Sequence, residues 1–168
     1  MGEDAQMTMD LAAMLCRRPL AAAELHGSEA YPDITGTVLF YQTREGVLVA
    51  AEVQGLPSPD GPCGWPVFGF HIHRGGSCSG DDTDPFAGAM THDNPENCPH
   101  PAHAGDLPPL FGNGGHAVQV VLTDRFTVRE VIGKTVIVHA NRDDFTTQPS
   151  GDAGTKIACG EIVRFGVW

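Results

Sequence analysis

Val67-Phe68-Gly69-Phe70-His71-Ile72-His73 is the stretch on which the reading of this chain turns. Side chains alternate across a strand, so Phe68, Phe70 and Ile72 share one face while His71 and His73 share the other. The first face suits a hydrophobic core. The second places two imidazoles near enough to hold one metal ion. Alone, an H-x-H pair reads equally well as a polar outer face that happens to carry two histidines.

Outward from this strand the texture stays β from Pro19 onward, with frequent Gly and Pro, short apolar runs and recurring turn signals. Strands are predicted at 19–27, 35–43, 46–54, 67–73, 117–123, 135–139 and 156–165. The second and third are separated by Arg44-Glu45 and form a hairpin, with Val47, Val49, Ala51 and Val53 on one buried face. Short strands without helical periodicity predict an antiparallel sandwich or barrel. Two stretches, Arg74 to about Leu110 and Ala140 to Thr155, are too long for plain connections and are expected to be functional loops. Residues 1–18 form a lead-in, either a short helix capped by Asp10 or a partly ordered tail; residues 19–168 form one domain.

The composition excludes several functions. With 168 residues, a net charge of −11 and only two lysines, Lys134 and Lys156, the chain lacks the clustered cations that nucleic acid or an anionic membrane surface requires. No apolar run is long enough to span a membrane. The N-terminus lacks a basic n-region and a long apolar h-region, so the expected location is cytoplasmic, the alternative being a periplasmic or secreted mature form. Five cysteines (Cys16, Cys63, Cys78, Cys98, Cys159) are too few for a disulfide-dense scaffold, and the odd number leaves at least one unpaired within the chain.

Four further histidines and an aspartate extend the metal reading. His139 lies on a strand whose Val136 and Val138 face inward, so its imidazole reaches the same outer surface as His71 and His73. His92, His100, His103 and Asp106 make a set of three nitrogens and one oxygen suited to tetrahedral zinc, and imidazoles suit copper as well. His26 and His116 read as surface or strand residues.

Together, Phe70-His71-Ile72-His73, Thr91-His92-Asp93-Asn94-Pro95, Pro99-His100, His103-Ala104-Gly105-Asp106, Val138-His139 with Asp143 four residues on, and the run Gly151–Gly160 resemble the copper/zinc superoxide dismutase family. The resemblance covers most of residues 34–162. It implies an eight-stranded antiparallel Greek-key β-barrel, or sandwich, with two long functional loops. Superoxide would be the substrate, copper and zinc the cofactors, and a homodimer a common assembly. Copper would be held by His71, His73, His92 and His139. Zinc would be held by His92, His100, His103 and Asp106, with His92 bridging both metals. Asp143 would link His71 to His100, Lys156 would be the active-site cation, and Cys78 would pair with Cys159.

Three positions depart from the family pattern. Lys156 stands where arginine is usual, keeping the charge but losing the planar fork. The zinc loop is short between His100 and His103, which puts zinc affinity in question. Arg74 follows the H-x-H pair where an acid is common; with Arg142 it stands behind Lys156 as a source of local positive charge. The alternatives are a copper-only enzyme, a non-catalytic metal-delivery or interaction module of the same fold, and a structural zinc module. Cys63 and Cys98 form either a second disulfide or unpaired buried thiols.

Overall fold

The computed structural model describes residues 10–58, 61 and 63–166; residues 1–9 of the lead-in lie outside the described residues. Among the described residues nine strands follow in chain order: β1 Ala21–Gly27, β2 Thr35–Gln42, β3 Val47–Gln54, β4 Val67–His73, β5 Asp106–Phe111, β6 Ala117–Thr123, β7 Thr135–His139, β8 Lys156–Glu161 and β9 Val163–Arg164. The short helix α1, Leu11–Leu15, begins where expected, with the Asp10 carboxylate accepting from Ala13 N at 3.1 Å. A second helix, α2, Val128–Val131, is set by a capping box between Thr127 and Glu130.

All ladders are antiparallel, in the order β5-β4-β7-β8-β1-β2-β3-β6, with β9 added to β1. The chain crosses the barrel from β3 to β4 and from β6 to β7, giving the Greek-key connectivity. β5 and β6 lie against each other and nearly close the sheet. At this seam Gln119 Nε2 donates to the Pro108 carbonyl at 3.0 Å, since the prolines of β5 have no N–H to offer. Inside the barrel, Phe40, Phe70, Ile72, Leu25, Val49, Val138 and Ile157 pack into one core. No described helix is long and apolar enough to cross a membrane.

Two expectations are corrected. The stretch from Arg74 to Leu110 is not loop throughout: it ends in β5, whose Pro108-Pro109 pair disguises a strand, and proline is tolerated there because β5 lies at the sheet edge. The run 156–165 is not one strand but breaks at Ile162 into β8 and β9. Cys78 and Cys159 are disulfide-bonded, joining the loop after β4 to β8. Cys16, Cys63 and Cys98 are free thiols, and Cys63 is exposed rather than buried.

Candidate metal centre

The β4–β7 pairing builds the first half of the site. Phe70, Ile72, Val136 and Val138 enter the core, which forces His71, His73 and His139 to the opposite face. That face is not solvent-exposed: the loops cover it, and all three histidines are buried. Gly69 makes the fit possible, since a Cβ there would lie 2.9 Å from Ala153 Cβ and 3.2 Å from His139 Cβ.

Main-chain bonds bring the second half in. Asp93 N donates to Ile72 O at 2.9 Å, Arg74 N to Thr91 O at 2.9 Å, and Gly105 N to Asp93 O at 2.9 Å. These lay His92 beside His73 and bring Asp106 against His92. His71, His73, His92 and His139 then offer one ligand atom each within 4.8 Å of one another, and so do His92, His100, His103 and Asp106. His92 belongs to both sets.

The hydrogen bonds of His71, His73, His100 and His139 leave each of these rings one free nitrogen. Nδ1 of His73 donates to Met90 O at 2.9 Å and Nδ1 of His139 to Gly154 O at 3.1 Å, so their Nε2 atoms are unprotonated. Those two lone pairs face each other at 3.2 Å, an arrangement that calls for a cation between them. Asp143 accepts from Nε2 of His71 and from Nε2 of His100, both at 2.8 Å, which turns each Nδ1 inward. His71 Nδ1, His92 Nε2 and His100 Nδ1 are buried without a hydrogen-bond partner. His100 Nδ1 lies 3.0 Å from Asp106 Oδ2 without the alignment of a hydrogen bond. Buried orphan nitrogens are costly unless a metal ion meets them, and two nitrogen-rich sets sharing one imidazole fit copper and zinc.

Electrostatics agree. Burial pushes His73 from 6.5 to about 2, with His139 and His92 adding repulsion. Burial likewise pushes His139 to about 3, with His71 contributing. His71 moves down for the same reason, against the pull of Asp143. Neutral imidazoles are the form a metal ion binds. Burial alone would raise Asp143, but the hydrogen bonds from His71 and His100 outweigh it and hold the carboxyl at about 2. Asp106 is also lowered, the His92 hydrogen bond overcoming burial.

Several contributors were not singled out from the sequence. Gln148 clamps the zinc loop in both directions, accepting from His100 N at 2.9 Å and donating to His100 O at 2.7 Å. Arg125 Nη1 donates to Pro101 O at 2.9 Å and His103 O at 3.1 Å. These bonds hold the short loop, so His100 and His103 converge despite their close spacing. Lys156, read from the sequence as the cation, lies across the strand pair from His139 and is not free: its ammonium lies 2.6 Å from Asp84 Oδ2. Arg142 sits 5.8 Å above the Trp65 ring, and His116 pairs with Glu52 at an exposed site.

The family model described as copper/zinc superoxide dismutase matches residues 34–162. A superoxide dismutase [Cu-Zn] of Photobacterium leiognathi is 33% identical over 141 residues, 76% of this chain and 78% of that protein. One of Legionella pneumophila is 32% identical over 148 residues, 83% of this chain and 85% of that protein. The Cu/Zn superoxide dismutase structure from Brucella abortus shares the fold, with a TM-score of 0.69 and 24% identity over 84% of this chain and 98% of that one.

Proposed function

We infer the roles of these residues from one premise: the chain belongs to the copper/zinc superoxide dismutase family and is a superoxide dismutase that uses copper and zinc. The net reaction takes two superoxide anions and two protons to oxygen and hydrogen peroxide. The observation that carries the assignment of roles is His92, which belongs to both ligand sets, with Nδ1 beside Asp106 and His103 and Nε2 buried without a hydrogen-bond partner.

When bound, copper supplies a one-electron couple and zinc a fixed Lewis acid. His71, His73 and His139 would hold copper through Nδ1, Nε2 and Nε2. His100, His103 and Asp106 would hold zinc. Asp143 keeps the rings of His71 and His100 in the tautomers that aim Nδ1 at the metals. His92 Nε2 holds a proton between the half-reactions and delivers it to the second superoxide as that anion leaves as peroxide; solvent supplies the other proton. Lys156 attracts and orients the incoming anion.

The test is copper and zinc per chain on reconstituted protein, with superoxide consumption measured in the same sample. One of each metal, with turnover lost on chelating copper, is expected. Full copper occupancy without turnover would overturn the enzymatic role, and turnover with an empty zinc set would make this a copper-only enzyme. For assembly, we propose a homodimer, supported by the exposed aromatics Trp65 and Phe111 at the end of the β4–β5 pair where Phe111 pairs with Val67. Sedimentation of Trp65→Ser at micromolar concentration should show more monomer than the parent protein; unchanged sedimentation would rule that surface out.

A further inference from the structure

The chain has two lysines, and both are ion-paired: Lys134 with Asp93 at 2.6 Å, and Lys156 with Asp84 at 2.6 Å. The second pair bears directly on anion capture. Lys156 is the cross-strand partner of His139, and its ammonium donates to Asp84 Oδ2 at 2.6 Å and to Phe86 O at 3.1 Å. An ammonium has three donors, so one remains for an incoming anion. Asp84 is itself anchored: its Oδ1 accepts from Phe86 N at 3.1 Å, and its own N–H donates to Asp81 Oδ1 at 3.0 Å.

We propose that Asp84 is a positioning residue for superoxide capture and also its brake, orienting the ammonium of Lys156, the cross-strand partner of His139, while cancelling much of its charge. This rests on the superoxide dismutase reading above. A guanidinium is pre-organised by its own plane, whereas an ammonium on a four-carbon stem is not. Asp84 and the Phe86 carbonyl supply that orientation from outside the side chain. The cost is electrostatic. A carboxylate in contact with the cation leaves a dipole where a free charge would stand. The surrounding cleft adds Glu29, Asp81 and Asp82, and Lys156 is the one cation among its described lining residues.

Asp84→Asn separates the two roles, because the amide oxygen still accepts from Lys156 while the negative charge is gone. Relative to the parent, kcat/KM at low ionic strength should rise roughly three-fold or more, and its fall with added salt should steepen. Azide, a small monoanion, should bind the copper-loaded variant tighter by a similar factor, read by titration of the visible spectrum. In a Lys156→Met background the same substitution should change both readouts much less, since only the loss of a nearby unit charge remains. A variant with the parent's salt dependence and azide affinity would overturn the proposal, as would an equal gain with and without Lys156. Should Asp84→Asn misfold, Asp84→Ser removes the charge with a shorter acceptor. Absence of turnover in the parent would count against the enzymatic role instead, and azide titration would still report on Asp84.

Discussion

His73 and His139 present unprotonated Nε2 atoms to each other at 3.2 Å because each Nδ1 is committed to a carbonyl. This arrangement makes the metal-free protein sensitive to acid. Unfolded, both rings protonate near 6.5; folded, burial delays protonation to about 2 and about 3. Between these values the unfolded chain binds more protons, so stability falls as pH falls, by up to about 1.4 kcal/mol per pH unit for each ring. The urea midpoint of the metal-free protein should therefore drop from pH 7 to pH 5, and equal midpoints would show that the rings are not buried neutral. Asp143 acts on two rings at once. Asp143→Asn replaces one of its two acceptors with a donor, so one of His71 and His100 loses its tautomer lock. Metal affinity should fall about 10–100-fold in competition titrations. The residues of both ligand sets were legible because alternation and close spacing are local signals. Gln148 and Lys134 were not, since their partners lie 48 and 41 positions away with no pattern between.

Among the elements, β4, β6 and β7 were read with the boundaries they have, because short apolar runs bounded by turn residues mark strands. β5 escaped notice because Pro108 and Pro109 break that signal, and only its place at the seam tolerates them. The loop after β7 carries Asp143 and turns back at Gly151, where φ is +68° and a Cβ would run into the Asp143 carboxylate and come within 2.7 Å of His100 Nε2. Gly151→Ala should cost roughly 1–3 kcal/mol of stability from backbone strain and should also release zinc more readily. A thermal melt and a zinc-release assay on one preparation check both. Loss of stability with zinc release unchanged would confine Gly151 to a backbone role.

At the scale of the whole molecule, the disulfide ties the loop that carries Asp84 and Met90 to β8, across 81 positions of sequence. Around it a small cluster of Phe86, Ala89 and Ile137 packs outside the barrel core. Cys78→Ser should lower stability by about 2–4 kcal/mol, and copper should leave faster, because Met90 O orients His73. Denaturant melts and copper-release kinetics measure the two effects. The net charge of −11 repels superoxide at long range, so capture depends on the local field. Lys156→Glu would place a second carboxylate beside Asp84. Its rate should fall about ten-fold or more and then rise with salt, the inverse of attraction, while copper stays bound. An unchanged rate would exclude Lys156 from steering.

The residues themselves pointed to the ligand types, their strand and loop placement and a β-sandwich or barrel, because side-chain alternation and short spacings are local properties of the chain; the pairing of Cys78 with Cys159, 81 positions apart, came only from the family resemblance. Only the tertiary structure decided which ring nitrogen His71, His73, His100 and His139 present, that the short loop between His100 and His103 still converges, and that Lys156 is ion-paired with Asp84. Those outcomes depend on contacts between segments dozens of residues apart. Asp143 meeting His100, Gln148 clasping the zinc loop and Asp84 meeting Lys156 exist only once the barrel has closed and its loops are pinned across it.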